Sequence, residues 1–463
     1  MSTATTPLLT RGGGLAAPVR IVHLGLGAFS RSHIAWYTAH ASDAATWGIA
    51  AFTGRRPDAA VQLQAQGGLY TVIERSSTAD SFEVIGSIVE AVDGADVSRL
   101  RELLAARTTS VLTLTITEAA YATGPDAGHT AVPEQPVTPM GRLTSALAAR
   151  RDAGSGPLAV VSCDNLPGNG AVARTAVLDL AHRWDPPLAA WIQENVSFVS
   201  TSVDRITPRY QPEDTTLVQS SCGYTDAVPV VAEPFHSWVL CGDFPAGRPR
   251  WEAAGATFVD AIEPFENRKL WLLNGAHSLL AYTGLLRGCS TVADALADPF
   301  CNQAMEDFWA EASLHLSGNE LHIPEYLAAL RERFGNTRIA HHLAQIAMDG
   351  STKVRLRAVP VLLAERQAGR TGRGAATILA AWAACVGSST QLQDPHTSAL
   401  ARAVEAEGAA QTAALLGVIG PELAADPRLV AVVHEQRLRI DAGSRDAGGS
   451  PTASPAGPAT GTR

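Results

Sequence analysis

Lysine is almost missing from this 463-residue chain: among 36 basic residues only Lys269 and Lys353 are lysine. A drift toward arginine codons explains the depletion but not the survival of these two. Arginine stays protonated in a protein, whereas lysine can shift its pKa and act as a base. A chain that carries its positive charge on arginine and keeps lysine at two positions marks both as candidate titratable amines.

Other absences exclude whole classes of function. There is no basic run and the formal net charge is −9, so the electrostatics give no reason to bind nucleic acid or an anionic membrane. No apolar stretch approaches the roughly 18–20 residues of a membrane span. The N-terminal Met1-Ser2-Thr3-Ala4-Thr5-Thr6-Pro7 lacks the charged and apolar regions of a secretory signal, which makes the cytoplasm the expected compartment. The six cysteines lie far apart with no C-x-x-C pair, against a disulfide framework and against a four-ligand zinc site. The thirteen histidines include the neighbours His341 and His342 but no H-E-x-x-H, so no structural or catalytic metal is expected.

What is present reads as an α/β chain of two domains. The composition, 46% hydrophobic, supports two full cores at this length. A loose leader, residues 1–17, contains Gly12-Gly13-Gly14. Strand-like runs follow at Val19–Leu24, Trp47–Phe52, Ser110–Thr117, Leu158–Cys163 and Asn195–Val203, with a helical stretch over Arg31–His40. Strands alternating with helices argue for a mostly parallel sheet. Beyond Pro264 alanine and leucine recur at helical spacing, as in Tyr326–Phe334, Ala375–Cys385 and Ala399–Leu416. The expected division is therefore a sheet domain over 18–260 and a mainly helical domain over 261–440. A disordered tail rich in Ala, Gly, Ser, Pro and Thr is expected over 441–463.

The segment Ile21-Val22-His23-Leu24-Gly25-Leu26-Gly27-Ala28-Phe29-Ser30 is strand, then G-x-G, then a helix start. Gly25 permits the tight turn, and Gly27 lets backbone approach a pyrophosphate. The free N–H groups of Ala28 and Phe29 open the helix where its dipole favours an anion. Ser30 stands where the usual third glycine would be. The second strand ends in Thr53-Gly54-Arg55-Arg56-Pro57-Asp58. Its two arginines can accommodate a 2′-phosphate, Asp58 can instead bind a ribose, and solvated surface charge is the third reading.

One of the two lysines lies in Arg268-Lys269-Leu270-Trp271-Leu272-Leu273-Asn274-Gly275-Ala276-His277. At about 100° per residue, Asn274 falls about 140° and His277 about 80° round a helix from Lys269, so the three can line one side. Alcohol oxidation without zinc needs a base for the hydroxyl proton and donors for the developing alkoxide. A buried lysine with a lowered pKa can be the base and asparagine amides the donors. Strand Leu158–Cys163 ends in Asp164-Asn165, placed where ligands bind in such sheets, although an Asx turn would also use them. Asp204-Arg205 ends the next strand as either a local ion pair or a polar substrate contact.

Taken in order, the pieces IVHLGLGAFSRSH, LTLTITE ending at Glu118 with Tyr121 nearby, SCDNLPGNG, SVDRITP, EPFHSW, KLWLLNGAHSLLAY and QIAMDGSTK resemble the long-chain polyol dehydrogenases. This is the mannitol dehydrogenase family with its fructuronate reductase relatives. The resemblance spans roughly residues 18 to 360. It implies a Rossmann-type N-terminal domain, a mainly α-helical C-terminal domain, and a substrate held between them. It also implies a catalytic lysine at Lys269, oxyanion-hole asparagines at Asn165 and Asn274, and a substrate-contacting histidine at His277. Substrate contacts are implied at Asp204 and Lys353, with no zinc and a monomer.

The chain departs from the family pattern at Ser202, where relatives usually carry methionine, and at His236-Ser237 after EPF. Arg55-Arg56 stand where NAD-preferring relatives often show an acid. NAD is the cofactor implied by the family, and the arginine pair keeps NADP open.

The activity so implied is interconversion of a hexitol-type secondary alcohol and its ketose. Fructuronate or tagaturonate reduction is the alternative, followed by a mannitol 1-phosphate dehydrogenase. The expected partners are thus a small polyol, ketose or ketouronate. A non-catalytic nucleotide-binding sensor is the reading from another class. The presence of Lys269, Asn165, Asn274 and His277 argues against it, since a sensor has no need of a base.

Overall fold

Strand β1 (Val19–Leu24) sends alternate side chains into two cores. Ile21 joins an apolar cluster with Trp36, Tyr37, Ile49 and Trp238, whereas Val22 and Leu24 join another with Leu100, Leu104, Leu143 and Leu180. Successive strand residues point to opposite faces, so a strand buried on both faces is an almost continuous apolar run. The computed structural model describes residues 6–388 and 393–447, and the chain divides into two compact units, Met1–Glu266 and Asn267–Arg463.

The first unit adds ten further strands: β2 (Gly48–Phe52), β3 (Tyr70–Arg75), β4 (Asp80–Ile85), β5 (Ile88–Val92), β6 (Val111–Leu114), β7 (Leu158–Ser162), β8 (Val196–Asp204), β9 (Val230–Ala232), β10 (Ser237–Cys241) and β11 (Thr257–Phe258). Eight form one sheet in the order β11-β10-β8-β7-β6-β1-β2-β5, and β4-β3-β9 form a smaller one. The six strands from β5 to β8 are parallel. Numbered among themselves they run 3-2-1-4-5-6, the doubly wound order of a Rossmann-type dinucleotide-binding domain. The order reverses between β1 and β6, which places the ligand crevice at their carboxyl ends.

Local expectation and packing part company at several places. The helix expected over Arg31–His40 is two helices, Ala28–Ser32 and Ile34–Ala39, broken at His33. The His33 ring is fully buried, stacked 4.9 Å from Phe29, with Nε2 3.0 Å from the Ser237 carbonyl. Docking that ring against β10 outweighs helical continuity. Within the described part of the leader, residues 6–17, Arg11 is tied down: it donates to the carbonyls of Gly67, Gly86 and Ile88 at 2.9, 2.8 and 3.0 Å.

The second unit is helical. Its central helix, Arg373–Ser388, is buried from Gly374 to Cys385, as expected for a helix apolar all round. Helices Ala276–Leu286, Pro299–Ser313 and Pro427–Ala447 pack on it. The stretch Ala399–Leu416 is two helices, Thr397–Ala403 and Gly408–Ile419, parted where Gly408 takes φ +57°. The last helix runs to Ala447, past the expected start of a loose tail at Asp441, and residues 448–463 of that tail lie outside the described residues. Among the described residues no helix is long and apolar enough to cross a membrane.

Candidate active site

The turn after β1 is built for close approach. Gly25 takes φ +110°, and a Cβ there would stand 2.1 Å from the Thr115 carbonyl oxygen. Only glycine fits that position. Its N–H and that of Leu26 donate to the Phe52 carbonyl at 2.9 and 2.8 Å, fixing the turn to the end of β2. Helix Ala28–Ser32 starts at once. The Ser30 hydroxyl folds back and accepts from the Gly27 N–H at 2.9 Å. This leaves Ala28 and Phe29 to present first-turn amides. A Cβ at Gly27 would meet only the Gly25 carbonyl oxygen, at 3.7 Å, so the space over the turn, at the reversal of strand order, is open to a pyrophosphate. Arg55 and Arg56 follow β2 on the surface. Arg56 lies 3.8 Å from Asp58 with the two side chains 87% and 71% exposed, a solvated pair that contributes little to stability.

At the carboxyl ends of β7 and β8 the loop Cys163–Gly170 is stitched from below. The buried Asn169 donates through Nδ2 to the carbonyls of Asp164 and Thr201, each at 2.9 Å, and its Oδ1 accepts from the Thr201 N–H at 2.9 Å. These bonds hold the strand end from which the exposed Asn165 projects. The Asp164 carboxylate accepts from the Ile116 N–H at 2.6 Å and from the Tyr121 hydroxyl. It therefore ties the β7 end to the segment after β6 and is not an Asx turn.

Burial pushes the Asp164 carboxyl up to about 7, against the Tyr121 and Ile116 hydrogen bonds that favour its charged form. A carboxyl raised in the folded state stabilises fully below its ordinary value of about 3.9, and that contribution is lost as pH rises toward 7. Asp164→Asn should therefore flatten the fall in stability between pH 4 and 7, by on the order of 2–4 kcal/mol. Urea midpoints across that range check it, and parallel curves for variant and parent would contradict it.

Asp204 ends β8, buried opposite Ser237 of β10. Arg205 serves the scaffold. It donates to the carbonyls of Glu233 and Ser32 at 3.0 and 2.6 Å, pairs with Glu74, and lies over the Trp36 ring at 5.0 Å.

In the second unit the lysine segment is not a plain α-helix. Residues Lys269–Gly275 form a π-helix that continues into the α-helix Ala276–Leu286. The angular spacing expected for an α-helix is corrected accordingly. With i→i+5 hydrogen bonds, a residue five positions on lies about 40° round from its partner, much as i+4 does in an α-helix, so Asn274 lies on the same side as Lys269. Lys269, Asn274 and His277 are each half-buried. The His277 ring lies 4.7 Å from Phe334 and 5.8 Å from His341. His341 is itself driven down to about 4, by burial first and then by Arg333 and His342.

Lys353 sits on helix Gly350–Arg357 and donates to the Ile346 carbonyl at 3.1 Å. Burial lowers its pKa, and the Arg357 charge lowers it further against Asp349. Arg357 in turn donates to the Asn274 carbonyl at 3.2 Å and to Ser278 Oγ at 3.0 Å.

Each unit thus gathers its own share of the expected residues. The first holds Gly25, Gly27, Ala28 and Phe29 in one turn, with Asn165 and Asp204 on neighbouring strand ends. The second holds Lys269, Asn274 and His277 on one helical segment, joined to the helix of Lys353 through Arg357. Sequence reasoning passed over Asn169 and Arg357. Asn169 was visible only as one more polar residue of the SCDNLPGNG loop, and Arg357 only as the cation one turn after Lys353. Among the described residues no group of three or more His, Cys, Asp or Glu is arranged to hold a metal ion.

Family models match nearly all of this architecture. Residues 19–253 match the mannitol dehydrogenase Rossmann domain and residues 261–440 the mannitol dehydrogenase C-terminal domain. The chain is 36% identical over 432 residues to the D-mannonate oxidoreductase of Escherichia coli (strain K12), covering 87% of this chain and 88% of that one. It is 36% identical over 404 residues to the mannitol 2-dehydrogenase of Cereibacter sphaeroides, covering 82% and 84%. Among solved structures, the Pseudomonas fluorescens mannitol 2-dehydrogenase in ternary complex with NAD and D-mannitol superposes with a TM-score of 0.78 at 32% identity, covering 93% and 94%.

Proposed function

The chain belongs to the mannitol dehydrogenase family and is an oxidoreductase, and on that premise we propose that it interconverts the secondary alcohol of a hexitol and the corresponding ketose without a metal. The observation that carries the reading is the π-helix Lys269–Gly275, whose i→i+5 bonding brings Asn274 to the same side as Lys269. It pairs a titratable amine with an amide donor on one rigid segment. Lys269 Nζ takes the hydroxyl proton of the alcohol. The side-chain amides of Asn165 and Asn274 donate to the oxygen as negative charge develops there, which stabilises the transition state more than the ground state. When bound, the nicotinamide dinucleotide supplies the acceptor for the hydride leaving the carbinol carbon. His277, Asp204 and Lys353 bind the remaining hydroxyls. Residues 18–260 serve as the dinucleotide domain and 261–440 as the catalytic and substrate domain, in a cytoplasmic monomer.

The turn Gly25-Leu26-Gly27 with the amides of Ala28 and Phe29 holds the pyrophosphate. Arg55 and Arg56, solvated at the end of β2, admit a 2′-phosphate, which guanidinium groups match bidentately and a carboxylate repels. Reversing both charges with Arg55→Glu and Arg56→Glu should lower the ratio of kcat/KM for NADP over NAD by roughly tenfold or more. An unmoved ratio assigns both to surface charge. The activity itself is tested by absorbance at 340 nm against hexitols, ketoses and ketouronates, with each cofactor and with chelator present. Turnover of a hexitol–ketose pair supports the reading, and turnover of ketouronates alone replaces it with sugar-acid reduction.

A further inference from the structure

Arg357 is a costly residue to have where it is. The side chain is half-buried, and that burial pulls its pKa down to about 10. Among the described residues no carboxylate pairs with it. A partly desolvated charge without a counter-charge is costly unless its hydrogen bonds do something the fold needs. Arg357 spends them on one place, the Asn274 carbonyl at 3.2 Å and Ser278 Oγ at 3.0 Å.

That place is where the π-helix Lys269–Gly275 turns back into an α-helix. A switch between i→i+5 and i→i+4 bonding disturbs the regular ladder, and carbonyls along it take donors from elsewhere. Two such donors are present. Trp309 Nε1 donates to the Leu272 carbonyl at 2.7 Å, and Arg357 donates to that of Asn274. Gly275 lets the surroundings close in, since a Cβ there would stand 2.7 Å from the Phe308 ring and 3.5 Å from the Arg357 carbonyl oxygen. Relaxation of the segment to a plain α-helix would swing Asn274 further round from Lys269 by roughly 100°, to an offset of about 140°.

We propose that Arg357 is a positioning residue: its hydrogen bond to the Asn274 carbonyl holds the π-helical register in which the Asn274 amide faces the reacting oxygen. The inference rests on the assignment of Asn274 as an alkoxide donor and extends it to a residue that does not touch substrate. Trp309 holds the same segment two residues earlier, at Leu272, but among the side chains of the described residues it is Arg357 that bonds the backbone of Asn274 itself.

The test is a double-mutant cycle on the full chain. Arg357→Met keeps the stem and removes the donors, and Arg357→Lys keeps one charged donor. Each is made with and without Asn274→Ala, alongside thermal midpoints and NAD affinity by fluorescence. Arg357→Met is expected to lower kcat at least about tenfold, as small misplacements of catalytic groups do, with NAD affinity unchanged and Arg357→Lys recovering most of the loss. In the Asn274→Ala background the same change should cost less than about threefold, because residues acting as a unit are not additive.

Equal losses in both backgrounds would overturn the proposal and leave Arg357 a packing residue. If Arg357→Met does not fold, the cycle is read with Arg357→Lys, whose own kcat deficit must likewise vanish with Asn274→Ala. If Asn274→Ala alone keeps kcat, the assignment of Asn274 falls and this inference falls with it, a result distinct from equal losses.

Discussion

Replacing Lys269 with arginine is expected to lower kcat for alcohol oxidation at least about a hundredfold, nearly as much as replacing it with alanine. Arginine keeps the charge and much of the reach, so a lysine that merely pairs or packs tolerates the exchange. A base does not, because guanidinium stays protonated across the working pH. Both variants should still bind NAD, since the dinucleotide turn lies at the end of β1. The wild-type oxidation rate should also rise with pH through one apparent pKa that both variants lose. Steady-state rates from pH 6 to 10 check this, and an arginine variant with most of the parent kcat would remove the base from the mechanism.

The second large effect falls on the asparagines. Asn165→Ala and Asn274→Ala should each lower kcat by about 10²–10³-fold, the usual loss when one donor to a developing oxyanion is removed. Substrate KM should move less, because the amides act mainly when charge appears on the oxygen. Asn274→Asp should be worse than Asn274→Ala, since it sets an acceptor and a negative charge against the alkoxide. Comparing kcat and KM for the three variants checks the assignment. A rise in KM with kcat intact would make the asparagines ordinary substrate contacts.

How far the chain can be read in advance depends on what each residue answers to. β1 and its glycine turn were legible because a doubly buried strand and a cramped turn leave few residue types possible. Lys269 stood out through the scarcity of lysine itself. The break at His33 was not legible, because it depends on a ring docking against β10, some 200 positions on in the chain. The hairpin of β3 and β4 was missed because β4, Asp80-Ser81-Phe82-Glu83-Val84-Ile85, is largely exposed and lacks a continuous apolar run. The π-helix was missed for a different reason. Assuming an α-helical period turned Asn274 about 140° away from Lys269, and no residue type announces an i→i+5 bond. Arg357 was invisible because its role is to bond a backbone carbonyl, which leaves no mark in the side chain it serves.

In the proposed reaction hydride leaves the carbinol carbon of a polyol for a nicotinamide while the protein alone manages the proton. Incubating the enzyme with NAD and D-mannitol deuterated at C2, in excess chelator, tests it in one experiment by mass spectrometry of the reduced cofactor. Ketose and reduced cofactor are expected in equal amounts, with deuterium on the nicotinamide ring and no effect of the chelator. Reduced cofactor without deuterium, or turnover that appears only when zinc is restored, would contradict it.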